Sequence, residues 1–181
     1  ALAVSWPAPL GAQALPGKHA SLIARSVRPP DYETPVALLD SFLTPIDAFY
    51  VRCHMPVPTQ IDEASWTLAL DGDVTTAASL TVAELKKLPA ASVTVTLECA
   101  GNGRVFFDPP VAGVQWRKGA VGTAKWTGVR LADLLTRAGV KAGSTHVHMT
   151  GADRPFATQP VFVRQLPLAK ATHPDTIVAY A

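Results

Sequence analysis

The residues best equipped for chemistry stand close together in Cys99-Ala-Gly-Asn-Gly-Arg104. A thiolate is a soft ligand, suited to zinc, copper or iron–sulfur centres, and the same logic extends to molybdenum. Arg104 follows five positions on, and a cation nearby favours the thiolate. Gly101, Asn102 and Gly103 permit a tight turn, so the backbone is free to approach something closely. A small buried apolar role is the structural alternative for Cys99. Arg52 and His54 lie two apart and share a face of any strand, while Cys53 between them points the other way. Taken alone, Arg52 reads as a surface cation and His54 as a satisfied polar residue near a sheet edge. His146 and His148 have the same spacing, but no third metal ligand stands near them in sequence. The two cysteines have no CxxC spacing, which excludes a zinc ribbon and a thioredoxin motif and leaves one disulfide open.

Local signals say which elements must carry these residues. Residues 93–98 alternate β-branched and small polar side chains and predict a strand running into Cys99. Residues 49–51 predict a second strand, ended by Pro56 and Pro58. Residues 15–35 read as loop, broken by Pro29, Pro30 and Pro35. Leu38, Leu39, Phe42 and Leu43 sit at helical spacing and predict a short helix before Pro45. Residues 65–74 read as a hairpin turning at Asp71-Gly72. Thr81 and Glu84 form a capping-box pattern for a helix over 80–88, stopped by Pro89. Residues 105–128 read as loop, where the small residues of 119–124 expose backbone N–H groups to anions such as phosphates. Trp116 and Trp126 are explained by packing. A helix over 129–138, with Gly139 as its C-cap, and strands at 146–149 and 176–181 complete the reading.

The chain has 181 residues, 48% of them hydrophobic and 17% charged, enough for one domain with a real core and against disorder. A net charge of +2 without a Lys/Arg cluster excludes a nucleic-acid surface. Sixteen prolines argue against a helical bundle. No stretch is long enough to span a membrane. Ala12-Gln13-Ala14 has the A-x-A pattern of a signal-peptidase site, so residues 1–14 read as the tail of an export signal and the expected location is periplasmic. Residues 15–32 follow as an N-terminal loop segment, and residues 33–181 as the domain proper.

Three stretches, in order, resemble the sulfite oxidase family of molybdenum enzymes. Cys99-Ala-Gly-Asn-x-Arg104 is similar to its cysteine loop, usually Cys-Ala-Gly-Asn-Arg-Arg, with Gly103 at the first arginine. Glu33-Thr-Pro35, Leu43-Thr-Pro45 and Phe49-Tyr-Val-Arg52-x-His54 resemble a signature usually written Phe-x-Arg-Asn-His-x-x-x-Pro, with Cys53 in place of the Asn. Trp116 to Leu131 matches the third signature, with Val121 as a conservative change.

The resemblance implies a mixed α+β fold, a strand- and loop-rich molybdopterin-binding domain, incomplete at its C-terminus. It implies that Cys99 binds molybdenum beside the dithiolene of one pyranopterin. Arg52 and Arg104 would bind the anionic substrate, with His54 at the pocket edge. Phe49, Tyr50, Val51, Arg52, Cys53 and His54 would contact the pterin. So would Gly119, Ala120, Val121, Gly122, Thr123, Ala124 and Asp153.

The implied reaction is oxidation of sulfite to sulfate, with electrons leaving singly. The chain has no haem-binding CxxCH and no cytochrome b5-like segment, so the expected acceptor is a separate c-type cytochrome. Two alternatives share the fold: a sulfane dehydrogenase subunit of thiosulfate oxidation, and a periplasmic methionine-sulfoxide reductase. The paired arginines favour a small oxyanion over a neutral sulfoxide. A truncated chain without metal and a thiol redox protein using Cys53 and Cys99 are the readings from other classes. The family's later segments, including a dimerisation domain that would build an oligomer, are not matched, so the chain reads as a fragment.

Overall fold

The computed structural model describes residues 15–56, 61–153, 155 and 160–181. The expected export-signal tail and Pro58 lie outside the described residues. The chain divides into two units. The first comprises residues 1–57 and 96–124, the second residues 58–95 and 125–181. Each is described by itself.

In the first unit, strands β1 (Ile23–Val27), β2 (Pro30–Glu33) and β3 (Val51–Arg52) form an antiparallel sheet in that order. This corrects the reading of residues 15–35 as loop. Val27 pairs with Pro30, so Arg28 and Pro29 form a two-residue connection. The prolines sit at the end of the hairpin, where proline costs no interior ladder bond. The register shifts between Ala24 and Ser26. A bulge of this kind re-aims a side chain, and Arg25, the extra residue, donates from Nε to Glu33 Oε2 at 2.6 Å.

The helix expected before Pro45 is absent. A 3-10 turn over Val36–Leu38 stands in its place, and Phe42 is 82% exposed. Pro45 disfavours a helical conformation at Thr44. Thr44 instead exchanges bonds with Thr123: its N–H donates to Thr123 O at 2.8 Å, and its Oγ1 accepts from Thr123 N at 3.1 Å.

Strands β4 (Thr67–Leu70) and β5 (Ala78–Thr81) form the expected hairpin in the second unit. Gly72 lies in its connection at φ +87°, but pairing resumes only at Ala78, later than the Asp71-Gly72 turn suggested. Helix α1 (Val82–Leu85) carries the full capping box: Thr81 Oγ1 accepts from Glu84 N, and Glu84 accepts from Thr81 N. The cysteine strand is β6 (Ala90–Glu98), beside β7 (Val121–Arg130) in a sheet ordered β10-β7-β6, where β10 is Ile177–Ala179. The unit boundary falls within β6 and within β7. Residues 121–128 are therefore strand rather than loop.

Helix α2 (Leu131–Ala138) ends at Gly139, which takes the left-handed conformation at φ +68°. Strands β8 (His146–Thr150) and β9 (Val163–Pro167) pair antiparallel, and α3 (Leu168–Ala171) follows. Leu80, Leu85, Val129 and Leu134 form one cluster of this unit's core, and Leu131, Leu135 and Ala171 a second. No described helix is long and apolar enough to cross a membrane.

Candidate functional site

Nearly all the expected site residues fall in the first unit. Cys99 follows the last residue of β6 and is half-buried. Its N–H donates to Ala120 O at 2.9 Å, and its carbonyl accepts from Asn102 N at 2.8 Å. The Asn102 side chain closes the turn: Oδ1 accepts from Ala120 N at 3.1 Å, and Nδ2 donates to Glu98 Oε1 at 2.8 Å. Gly103 takes φ +81° and donates to Arg117 O. The cysteine turn is thus bonded at both its ends to residues 117–120. A loop so tied holds its thiol in one place, as a metal ligand must be held.

Arg104 is fixed as well. Its guanidinium lies where side chains on Gly101 and Gly113 would project, within 2.7 Å and 2.2 Å of the Cβ positions those residues lack. Nη1 donates to Val114 O at 3.2 Å. The two glycines are therefore a cradle for the arginine head.

Residues 117–119 are held from below by Glu33. Its buried carboxylate accepts from Arg117 N (2.9 Å), Lys118 N (2.9 Å) and Gly119 N (2.8 Å), besides Arg25 Nε. Burial raises the proton affinity of Glu33, but the Arg25 and backbone donors outweigh it and leave the carboxyl below its ordinary value. Gly119 is required by close approach, because a Cβ there would stand 1.8 Å from Thr34 O. Run 119–124 therefore spends its N–H groups at Gly119, Ala120 and Thr123 on Glu33, Asn102 and Thr44. These three amides are engaged within the protein and are not open to a phosphate.

Arg52 and His54 are exposed, and Cys53 and Met55 are more buried, as the alternation predicts. β3 ends at Arg52, so His54 lies just past the strand. Arg52 Nη1 donates to Asp31 Oδ1 at 3.3 Å and to the carbonyl of Cys53. Its side chain remains 35% exposed. Phe49 and Tyr50 stack with ring centroids 5.4 Å apart, and Phe49 lies over Gly122 where a side chain would clash. Tyr50 meets Trp116 edge-on at 6.3 Å. Burial, and then the neighbouring Cys99 and Glu98, pushes the Tyr50 phenol above its ordinary value. Neither cysteine is in a disulfide.

Trp116 is fully buried, and its Nε1 has no hydrogen-bond partner among the described residues. A buried N–H without an acceptor is costly, and a polar ligand would satisfy it. Packing alone, the sequence reading for Trp116, does not account for this group. Sequence reasoning does not find Asp31, because a carboxylate buried in a strand has no local sequence mark, and the Glu33-Thr-Pro35 match gives no sign of the bracing role of Glu33.

Asp153 belongs to the second unit, half-buried just after a bend at Ala152, with its carboxylate over Gly151. His146 and His148 lie on β8 as expected, and among the described residues no group of three His, Cys, Asp or Glu is placed to hold a metal. A centre that takes one protein thiolate and draws its other ligands from a cofactor needs no such group. The donor chemistry of Cys99 and the orphaned Trp116 N–H both fit a molybdenum–pterin group.

Comparison with known proteins places the chain in a family. The profile of the family described as "Oxidoreductase molybdopterin binding domain" matches residues 54–181. Mitochondrial sulfite oxidase of Drosophila melanogaster is 42% identical over 171 residues, covering 91% of this chain and 29% of that protein. Sulfite oxidase of Gallus gallus is 37% identical over 174 residues, covering 91% of this chain and 38% of that protein. The sulfane dehydrogenase SoxCD of Paracoccus pantotrophus superposes with a TM-score of 0.73 at 26% identity, covering 86% of this chain and 39% of that one. The chain thus spans about a third of the length of the curated relatives it matches. With the strand-rich α+β fold in agreement, the chain belongs to the oxidoreductase molybdopterin-binding domain family and is similar to sulfite oxidases over most of its length.

Proposed function

We propose that this chain carries the metal- and anion-binding part of a molybdenum oxidoreductase that oxidises sulfite to sulfate. The observation that carries the reading is the cysteine turn, which presents a single half-buried thiol on a loop tied to residues 117–120. When bound, the molybdenum–pterin cofactor would supply the two-electron redox chemistry, and a separate c-type cytochrome is the proposed electron acceptor. Cys99 offers the thiolate ligand. Arg52 and Arg104 offer planar, permanently charged forks suited to an oxyanion. Arg104 is pre-set in its glycine cradle, so little side-chain entropy is lost when an anion binds. Trp116 adds a neutral N–H donor, and His54 stands beside Arg52 at the exposed edge. The Phe49–His54 segment and run 119–124 serve the pterin, with Gly119, Ala120 and Thr123 acting through groups other than their engaged amides. The Ala12-Gln13-Ala14 pattern supports an exported, periplasmic enzyme.

Metal analysis combined with a sulfite-dependent cytochrome c assay tests the reading, on protein made in a cofactor-producing host together with whatever sequence its gene encodes beyond this chain. Molybdenum at about one per chain with sulfite-dependent reduction is the expected result. A molybdenum-free protein, beside a control enzyme that loads normally, overturns it. The structural likeness to SoxCD favours a second reading, in which the substrate is a sulfane sulfur. Loaded protein that is silent with sulfite and active with a sulfane donor would establish that one instead.

A further inference from the structure

Asp31 is 1% exposed, on β2. It stands directly opposite Arg52 in the β2–β3 register. One oxygen, Oδ1, accepts both from Arg52 Nη1 at 3.3 Å and from Cys53 N at 3.0 Å. The carboxylate therefore holds the guanidinium and the backbone just beyond it, at the point where β3 ends and the chain turns to His54. The basic side chains that face it are Arg52 and His54. A buried strand position that only needed filling would take an apolar, β-branched residue. A buried ion pair is also weak evidence of added stability, since desolvation consumes most of its attraction. What this pair does specify is orientation. Two bonds to one carboxylate fix where the arginine fork leaves the sheet, and a fork fixed in advance loses less freedom when it meets an anion.

We propose that Asp31 is a positioning residue for Arg52, setting the geometry with which that arginine receives an anionic substrate. The inference rests on the reading of Arg52 as an anion-binding group. Orientation and charge predict opposite outcomes, which makes the idea testable. If Asp31 acted only through its charge, removing it would strengthen anion binding in both Asp31→Asn and Asp31→Ala. If it acts by positioning, Asp31→Ala weakens binding, while Asp31→Asn keeps an oxygen acceptor and restores it.

The experiment compares wild type, Asp31→Ala and Asp31→Asn as molybdenum-loaded protein. It reads KM and kcat for sulfite, the dissociation constant of radiolabelled sulfate by equilibrium dialysis, and the rate at which phenylglyoxal modifies Arg52, followed by peptide mass spectrometry. Asp31→Ala should raise KM and the sulfate constant about tenfold, with kcat changed less than about threefold. It should also speed Arg52 modification, and Asp31→Asn should return all three to within about threefold of wild type. Should Asp31→Ala not fold, Asp31→Val takes its place, since valine suits a buried strand. Unchanged sulfate affinity and an unchanged modification rate in the Ala or Val protein overturn the proposal. So does an Asn protein as impaired as the Ala protein, or activity lost only in step with molybdenum. Failure of the functional reading shows separately, as wild-type protein that neither binds sulfate nor oxidises sulfite. The Arg52 modification rate still decides in that case whether Asp31 holds the arginine.

Discussion

At the scale of single residues, the proposed function divides the site into groups that would touch a ligand and groups that hold them. It puts Cys99 in the first class. Cys99→Ser replaces a soft sulfur with a hard oxygen and should lower molybdenum content at least about tenfold, measured by metal analysis of folded protein. Full loading of that variant would count against Cys99 as the ligand. Arg52→Gln removes a charge-assisted donor worth about 1.5–3 kcal/mol, so KM for sulfite should rise about tenfold to a hundredfold, with a smaller fall in kcat. An unchanged KM would remove Arg52 from the substrate site. The residues proposed for the chemistry stand in short, distinctive runs of the sequence. Their supports do not. Asp31 and Glu33 look like ordinary polar residues beside two prolines, and only the folded hairpin shows that both are buried. Trp116 reads as core from its type, and its unsatisfied N–H appears only once its surroundings are known.

At the scale of elements, the beginning of β7 depends on β2. Glu33 meets three consecutive N–H groups and Arg25, and the Thr34 N–H donates to Gly119 O at 3.1 Å. This makes Gly119 the less replaceable of two glycines. At Gly119 a Cβ would strike the backbone at Thr34, whereas at Gly122 it would strike the Phe49 ring, which can turn aside. Gly119→Ala should therefore cost about 3 kcal/mol or more, and Gly122→Ala nearer 1 kcal/mol, by chemical denaturation. Signals confined to one element served the sequence reading well: the alternation of β6, the capping box of α1 and the αL glycine after α2. Signals that depend on a partner did not. The 36–44 segment has helical spacing of apolar residues, but Pro45 and the Thr44–Thr123 bonds fix its end in another conformation. The β1–β2 hairpin was hidden because proline reads as a breaker in sequence yet sits comfortably at a hairpin end.

At the scale of the whole molecule, the two units differ in how they are held together. Among the described residues, the buried polar side chains of Asp31, Glu33, Thr34 and Thr44 lie in the first unit, whereas the two apolar clusters built on Leu80, Leu85, Val129, Leu131, Leu134 and Leu135 lie in the second. A unit held by a charged carboxylate responds to acid, and one held by aliphatic packing does not. The sign follows from Glu33, whose proton affinity is lowered on folding. Its contribution is complete above the ordinary glutamate value of about 4.3 and is lost as pH falls through the lower folded value. Asp31 acts in the opposite sense. Burial, only partly offset by the Cys53 N–H and then by Arg52 and His54, leaves its carboxyl above the ordinary value. As pH falls through that raised value, Asp31 relieves a cost rather than losing a bond. Acid should therefore first relax the demand at Asp31 and then, at lower pH, release the Glu33 brace. Hydrogen exchange followed by mass spectrometry across pH 7 to about 3, with intrinsic rates corrected for pH, reads this directly. Amides 117–119 should lose protection below about pH 4.3, while those of α2 keep theirs to lower pH. In Glu33→Gln, which presents an N–H₂ group to donors that need an acceptor, amides 117–119 should exchange faster already at neutral pH, with α2 unchanged. Parallel loss of protection in 117–119 and α2 at one pH would show instead that Glu33 braces nothing separable from the rest of the chain.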